Sequence, residues 1–320
     1  MDQKIIEWLL QGPAWLQYAV RLQLLHQKPE VNLALSDESI KAIVDQLKSA
    51  HGIPALRSGT VSYKNEPYWD LFFLADIGFT IADLHLEKEA RMIYDLQSPD
   101  GTFLTMRDMK PSYFCIPTIL LSSLVKMRFT DEAALRKYLG CILESQRLDG
   151  GWHCAKQRAI GQKLQHTESC PMDNLNVLLL LGQFPELRTD SRLKGAIDLL
   201  LNHWKRRDEK WRLYGFGTGT DYAKLKYPAV TYGILRVLDA LSLFPYATKN
   251  PTFRSMMKYV HEKADHGQYY AESVVKFYDG FDFGQKAEPS RWITFLVNRI
   301  ENRIELKPLA AHAGKADGRA

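Results

Sequence analysis

The sequence predicts an all-α protein, an α/α toroid of about six inner and six outer helices. Two repeating features predict this fold class. Apolar helical patterns follow prolines that recur every 50 to 61 residues, at Pro13, Pro67, Pro117, Pro171, Pro228 and Pro289. Amphipathic patterns that end in glycine-containing turns lie between them. Alternation of buried and amphipathic helices favours two concentric rings, and a linear solenoid is the alternative.

The inner helices are predicted from the prolines. Proline is favoured at the first helical position, where its missing N–H is not needed. The runs that follow, such as YWDLFFLADIGF after Pro67 and MDNLNVLLLLG after Pro171, are apolar on almost every face. Helices of this kind are buried on all sides, so we expect them in the centre of the protein.

The outer helices are predicted from apolar residues spaced three and four apart. The segments are DESIKAIVDQLKSA, EKEARMIYDLQS, DEAALRKYLGCILESQ and DSRLKGAIDLLLNHW. Several begin with Asp or Ser before acidic residues, which is typical of a helix N-cap. The turn glycines Gly52, Gly101 and Gly151 are 49 and 50 residues apart, and Gly267 follows after 116 residues. That last gap leaves room for one more copy.

Composition restricts the class of protein. The chain has 320 residues, 46% of them hydrophobic and 25% charged, as expected for a folded globular protein. A net charge of +5 without a long basic run does not predict a nucleic-acid partner. No apolar run approaches a membrane span, and four cysteines without an export signal predict a cytoplasmic protein. We predict one domain over residues 1–307 and a disordered tail over 308–320.

One turn carries a family resemblance. QRLDGGW, from Gln146, and the weaker copy LQSPDGTF, from Leu96, resemble the repeat of terpenoid cyclases and protein prenyltransferase β subunits, the squalene–hopene cyclase-like superfamily. The resemblance extends over about residues 8–303. It implies a toroid whose central cavity is lined by aromatic residues and holds an isoprenoid chain. It also implies that Trp152 packs against a neighbouring repeat, with Gln146 as its partner.

The catalytic motifs of that family are not found. The chain has neither the D-x-D-D acid motif of class II cyclases nor the D-D-x-x-D metal motif of ionising terpene synthases. Protein prenyltransferases hold zinc with Asp, a Cys two residues later, and a distant His. Glu168 and Cys170 have this spacing, with glutamate in place of aspartate. The resemblance thus implies zinc at His166 and Cys170, and a small buried Cys170 is the alternative.

The starts of the inner helices are the predicted ligand site. If all inner helices point the same way, their free N–H groups lie at one end of the ring and favour an anion. Aromatic faces at the same end can bind an apolar chain or a carbocation, and ordinary core packing is the alternative. The predicted ligand-binding residues are Tyr68, Trp69, Tyr113, Phe114, Lys226, Tyr227, Tyr232, Arg291 and Trp292.

The polar residues nearest these helix starts are the predicted catalytic residues Asp70, His166, Glu168 and Asp173. A buried carboxyl there could act as acid or base if its pKa is shifted. We therefore expect a prenyltransferase- or cyclase-like protein that binds an apolar or isoprenoid-like small molecule, which can be anionic, without the standard motifs. Two alternatives remain: a non-catalytic scaffold for a protein partner, and a carbohydrate-active toroid enzyme that uses Asp70 with Asp173.

Overall fold

The computed structural model describes residues 2–53, 66–104, 114–153, 168–209, 222–229 and 232–310. Within these ranges the regular structure is helical, and β structure is limited to isolated bridges. The α-helices are α1 (Gln3–Leu9), α2 (Ala14–Gln23), α3 (Val31–Leu35), α4 (Glu38–Lys48), α5 (Pro67–Ile77), α6 (Ile81–Leu84), α7 (Glu87–Tyr94), α8 (Cys115–Lys126), α9 (Glu132–Glu144), α10 (Pro171–Leu181), α11 (Lys194–Lys205), α12 (Ile234–Leu241), α13 (Pro245–Thr248), α14 (Pro251–His261) and α15 (Arg291–Ala310). Short 3₁₀ helices span Pro185–Thr189, Ser191–Leu193, Lys276–Tyr278 and Asp282–Gly284.

The buried helices of the described chain form a closed ring. Contacts run from α2 to α5, α8, α10, α12 and α15 in turn, and α15 packs back against α2. Every residue of α5 and of α10 is buried, as their uniformly apolar sequences predict. The all-α fold class is confirmed, and the closed ring corresponds to a toroid rather than a linear solenoid.

The amphipathic helices pack on the outside of this ring. α4 packs against α5, α11 against α10, and α14 against both α11 and α12. Two predicted N-caps are present, since the carboxylates of Asp37 and Asp131 accept hydrogen bonds from the first turns of α4 and α9. The side chain of Asn250, which was not predicted, caps α14 in the same way.

The start of α12 was predicted wrongly. Pro228 does not open this helix, which begins six residues later at Ile234, after an extended Gly233. Residues 222–229 instead enter the ring, where the ring of Tyr227 packs between those of Phe72 and Phe73 on α5. At the other end of the chain, α15 spans Arg291–Ala310 and residues 311–320 lie outside the described ranges, so the domain boundary at residue 307 stays a prediction.

The glycine turns join neighbouring repeats through a glutamine. The side-chain amide of Gln146 donates to the carbonyl of Gly150 and to that of Arg192, just before α11. Trp152 is fully buried, but its indole N–H donates to Ile142 of the preceding outer helix, 2.8 Å away. Gln146 therefore makes the hydrogen bond to the next repeat, and the packing of the Trp152 ring against a neighbouring repeat stays a prediction.

The lengths and sequences of these helices also bear on membranes. Within the described ranges, no helix combines the length and the apolar character needed to cross a bilayer.

Candidate ligand-binding site

The ends of the inner helices meet at two polar points inside the ring. The guanidinium of Arg236, on the first turn of α12, lies over the rings of Trp69, in the first turn of α5, and Phe72, in its second turn. The last turns of α5 and α8 meet at Arg299, where Asp76 lies between Arg299 and Lys126. Helices α5 and α12 therefore point the same way, as predicted for the inner ring.

A cavity lies between these two points. It encloses about 330 Å³, including the part that opens to solvent, and it is narrow, with room at its centre for about one water-sized group. Its wall combines apolar, aromatic and charged side chains. The lining residues are Phe72, Asp76, Lys226, Tyr227, Ala229, Leu235, Arg236, Asp239, Leu296, Arg299 and Ile300.

Asp76 is the first of two buried carboxylates at the cavity. One of its oxygens lies 3.0 Å from Nζ of Lys126 and 3.4 Å from a guanidinium nitrogen of Arg299. Its other oxygen accepts a hydrogen bond from the hydroxyl of Tyr227 at 3.0 Å. This carboxylate thus joins α5, α8, α15 and the 222–229 segment, and both of its oxygens have partners.

Asp239 is the second carboxylate, and two arginines hold it. Its Oδ1 lies 3.2 Å from Arg299 and 3.0 Å from Arg303, both on α15. Burial opposes the charged form of Asp239, but the two guanidinium groups outweigh it and hold the pKa of this carboxyl well below its usual range. Asp239 is therefore a carboxylate at neutral pH, and the two arginines that form ion pairs with it both lie on α15.

Much of the ring centre beside the cavity is filled with aromatic side chains. Trp292 packs edge-on against Trp15 at 5.3 Å, Phe73 at 5.4 Å and Tyr227 at 5.5 Å between ring centroids. Phe281 and Phe283, from the segment before α15, stack on each other and pack against Phe73. The aromatic residues of this part of the ring therefore form packed core.

Two of the predicted ligand-binding residues line the cavity, Lys226 and Tyr227. Trp69 is close to it, since Arg236 lies 4.9 Å above its ring, and Tyr68 packs edge-on against Trp69. Trp292 belongs to the aromatic cluster described above. Tyr113 lies outside the described residues.

The remaining predicted ligand-binding residues have other surroundings. The ring of Tyr232 stacks on Tyr222 at 4.7 Å and its hydroxyl approaches His203. The guanidinium of Arg291 donates a hydrogen bond to the carbonyl of Trp8 and lies 4.7 Å from the centre of the Trp8 ring. These two contacts attach α15 to the outer helix α1. The carbonyl of Phe114 accepts a hydrogen bond from the backbone of α8. None of these three lines the cavity.

Asp70 is buried in the first turn of α5. The hydroxyl of Tyr278 donates a hydrogen bond to its Oδ1 at 2.8 Å, across 208 residues of sequence. Burial raises the pKa of Asp70 to about 7, although the Tyr278 hydrogen bond opposes the shift. Near neutral pH this carboxyl therefore exchanges between its neutral and charged forms.

Asp173 is buried more completely, in the first turn of α10. Neither of its oxygens accepts a hydrogen bond of normal geometry from a described residue. Burial raises its pKa to about 8, and the nearby thiol of Cys115 counteracts this only in part. Burial raises the pKa of the Tyr138 hydroxyl on α9, and the nearby Asp173 carboxyl adds to that rise. Asp173 therefore carries a proton at neutral pH.

The two carboxyls lie on different helices. Asp70 is on α5 and Asp173 on α10, and α8 packs between these two helices. No described hydrogen bond or ion pair joins them. The pairing of Asp70 with Asp173 in a carbohydrate-active site stays a prediction that the described contacts do not support.

The predicted zinc ligands are not assembled in the described ranges. Glu168 forms an ion pair with Arg206 at 2.7 Å, and Cys170 is the residue before α10, where its carbonyl accepts from Asn174. No three His, Cys, Asp or Glu side chains converge among the described residues, and His166 lies outside them. The described donor set does not fit a zinc ion, so zinc stays a prediction.

The sequence prediction missed the charged residues of the cavity other than Lys226. Arg236 and Asp239 interrupt the apolar run ILRVLDAL, and Arg299 follows the apolar start of WITFLVNRIENRI. A charge inside a buried helix must find a partner in the interior or serve a ligand, because an isolated buried charge is unfavourable. The sequence therefore shows that these charges are unusual, but it does not show their partners, which lie far away along the chain.

Comparison with known proteins gives distant structural matches. No protein-family model matches the sequence, and no curated protein is significantly similar to it. The fold is similar to type II terpene cyclase MstE from Scytonema. An arginine-to-alanine variant in complex with geranylgeranyl dihydroxybenzoate matches with a TM-score of 0.39 and 11% identity over 92% of this chain and 88% of that chain. The apo enzyme matches with a TM-score of 0.38 and 12% identity over the same shares.

An aspartate-to-alanine variant of MstE with the product merosterolic acid A also matches, at a TM-score of 0.36 and 11% identity, over 91% of this chain and 86% of that one. These cyclases belong to the family that the QRLDGGW repeat resembles. At such TM-scores the likeness concerns the general arrangement of helices and says nothing about the ligand of this chain.

Proposed function

We propose that the protein binds a small molecule with an apolar, isoprenoid-like chain in the centre of its ring. The observation that supports this is the cavity between α5, α12 and α15. Leu235, Leu296 and Ile300 give it an apolar wall, and Phe72 and Tyr227 add aromatic rings. Apolar walls with a few fixed polar groups are typical of small-molecule sites.

The geometry also indicates how such a ligand would enter. Because the cavity is narrow, a long chain must displace part of its wall, and Lys226, Tyr227 and Ala229 are the non-helical part of that wall. Tyr227 is held there by its hydrogen bond to Asp76. We propose that the ligand chain lies against Phe72 and Leu235 and replaces contacts that Tyr227 makes in the free protein.

Any reaction of the ligand would need a proton donor other than the family's D-x-D-D motif. Asp70 and Asp173 qualify chemically, because burial lets both carry a proton near neutral pH. Asp70 is the better candidate, since its partner Tyr278 belongs to the aromatic cluster next to Tyr227. Product analysis after incubation with geranylgeraniol and farnesol, for the wild type and Asp70→Asn, would show whether Asp70 takes part.

Binding is tested by isothermal titration and by thermal shift with farnesol and geranylgeraniol. Binding to the folded state raises the melting temperature, and the stabilisation grows with the logarithm of one plus the ligand concentration over Kd. Ala229→Met should fill the cavity, since Ala229 is buried in its wall, and should weaken binding by about tenfold or more, or about 1.4 kcal/mol. Ala133→Met is the matched control, because Ala133 is exposed on the outer helix α9.

Two results would overturn the proposal. One is the absence of binding by any isoprenoid alcohol, acid or phosphate. The other is equal binding by the wild type and Ala229→Met, which would place the ligand elsewhere on the protein.

A non-catalytic scaffold is the second candidate function, and the aromatic cluster favours it. Trp15, Phe73 and Trp292 are buried and pack on one another, so this part of the ring is closed by side chains. A scaffold needs no ligand, whereas the first proposal does. The isoprenoid titrations therefore separate the two candidates directly.

A further inference from the structure

Arg236 is a buried guanidinium whose hydrogen-bonding capacity is only partly used. Its side chain leaves Nε without an acceptor among the described residues. Nη2 donates to Oδ1 of Asn176, and Nη1 makes only long contacts, 3.5 Å to the carbonyl of Ala229 and 3.9 Å to the sulfur of Met172. A guanidinium has five N–H donors, so several remain available.

Its charge is also uncompensated, unlike that of Arg299. Arg299 lies within ion-pair distance of both Asp76 and Asp239. Within the described ranges Arg236 has no carboxylate at such a distance, and Asp76 acts on it only from farther away. Lys126 and Arg303 occupy these same two carboxylates. The described carboxylates at the cavity are therefore committed to other cations.

Arg236 keeps its positive charge despite this. Burial lowers its pKa to about 10, and the distant charge of Asp76 opposes the change. The guanidinium is thus protonated at neutral pH. The rings of Trp69 and Phe72 at 4.9 and 5.4 Å contact it but offer no anionic charge. A buried cation without an anionic partner is unfavourable, and an anionic ligand would relieve this.

The cavity places such a ligand within reach. Arg236 lines it together with two other cationic side chains, Lys226 and Arg299. We propose that the cavity is an anion subsite, where one oxyanion group of the ligand accepts hydrogen bonds from Arg236. This rests on the proposed function, since the apolar chain of the same ligand would lie against Phe72 and Leu235.

The chemistry favours one small oxyanion. The narrow cavity has room at its centre for about one water-sized group, which suits a carboxylate or a phosphate monoester better than a longer polyanion. The planar guanidinium matches a carboxylate through two parallel hydrogen bonds, and it also binds phosphate oxygens. Arg236 would then select ligands by the charge of their end group.

The test compares ligands with the same chain and different end groups. Geranylgeranoic acid, geranylgeranyl monophosphate and geranylgeraniol are titrated into the wild type, Arg236→Met, Arg236→Lys and the control Arg91→Met. Arg91 lies on an outer helix, is half exposed and pairs with Asp131. Because hydrogen bonds to charged groups are strong, the acid or the monophosphate should bind at least about tenfold tighter than the alcohol.

Arg236→Met should abolish this advantage and change the affinity for the alcohol by less than about threefold. Arg236→Lys should keep part of the advantage, and Arg91→Met all of it. The melting temperature of ligand-free Arg236→Met should be equal to that of the wild type or higher, because an uncompensated charge is removed. The compound that binds the wild type more tightly than the alcohol, the acid or the monophosphate, identifies the end group that the cavity prefers.

Other results overturn the inference. If acid, monophosphate and alcohol bind the wild type equally, the anion subsite is wrong while the proposed function stands, and this comparison needs no variant to fold. If Arg236→Met weakens the alcohol as much as the acid, Arg236 only shapes the cavity.

The wild type and Arg236→Met are also titrated with acetate and inorganic phosphate. If no isoprenoid binds, but acetate or phosphate binds the wild type and not Arg236→Met, the proposed function fails and the anion subsite stands. If neither isoprenoid nor anion binds, both are rejected.

Discussion

The side-chain amide of Gln146 reaches the backbone carbonyl of Arg192, 2.8 Å away and 46 residues later in the sequence. Gln97 makes the same contact one repeat earlier, with the carbonyl of Ala134 at 2.8 Å. Each glutamine also donates to the carbonyl of its own turn, at Gly150 and Gly101 respectively. The same side chain thus connects one outer helix to the start of the next, twice along the chain.

Gln146→Ala should therefore destabilise the protein. The substitution removes the donor of the partly buried Gly150 carbonyl and of the exposed Arg192 carbonyl, so we expect a loss of about 1–3 kcal/mol in the free energy of unfolding. Urea denaturation measures it. Gln3→Ala is the control, because among the described residues the Gln3 side chain bonds only to the exposed Glu7, and its effect should stay within about 0.5 kcal/mol. Equal effects would show that the connection adds no stability.

Gly150→Ala should be strongly unfavourable, whereas Gly140→Ala should not. Gly150 has a φ of +86°, and an added Cβ would lie 2.6 Å from Cα of Gly195 at the start of α11. We expect a loss of more than about 1 kcal/mol. Gly140 lies inside α9 with open space around a Cβ, so alanine there should stabilise by about 0.5–1 kcal/mol. Thermal denaturation of both variants measures the contrast, and effects of the same sign would contradict it.

Asp173 should make stability depend on pH. The folded protein holds the Asp173 proton up to a pH of about 8, whereas an unfolded aspartate releases it near pH 4. Between these values the folded state binds more protons, so its stability falls as pH rises, by at most about 1.4 kcal/mol per pH unit. In Asp173→Asn this fall in stability with rising pH is absent, because the asparagine side chain does not titrate.

Urea denaturation at pH 5, 6.5 and 8 is the measurement for Asp173. The variant should gain stability relative to the wild type at each step upward in pH. Asp45→Asn is the control, because Asp45 is exposed on α4. A difference between Asp173→Asn and the wild type that stays constant with pH would mean that this proton is not held.

Arg299→Met should be among the most damaging single substitutions in the ring. It removes a partner of both Asp76 and Asp239 and leaves buried carboxylates undercompensated. Breaking a buried ion pair in this way costs about 3–5 kcal/mol in unfolding free energy. Arg91→Met removes an exposed pair and should cost at most about 1 kcal/mol. Urea denaturation compares them, and a loss below about 1 kcal/mol for Arg299→Met would contradict the prediction.

The fold could be predicted because its signals are local. Proline at Pro67 and Pro171 marks the first residue of a buried helix, and Asp37 and Asp131 cap outer helices as expected. Pro228 misled the prediction because the same residue type also occurs in extended segments, and here the helix starts only at Ile234. Local rules decide where helices form but not how a linker enters the ring.

The candidate site could be predicted only in part. Lys226 and Tyr227 were identified from their place near a helix start, and both line the cavity. Arg236 and Arg299 were not identified, because their role depends on which charged side chains lie next to them in the folded protein. Asp76 and Arg299 are 223 residues apart, and only closure of the ring brings them together. Arg291 was named for its charge, yet it packs on Trp8.

Closure of the ring also has a consequence for the order of assembly. The helix that completes it, α15, is the last described helix of the chain, and it carries the arginines that neutralise Asp76 and Asp239. During synthesis, α2 to α12 leave the ribosome before these arginines do. Until α15 has been made, Asp239 therefore lacks both of the arginines that pair with it, and the first and fifth inner helices lack their shared neighbour.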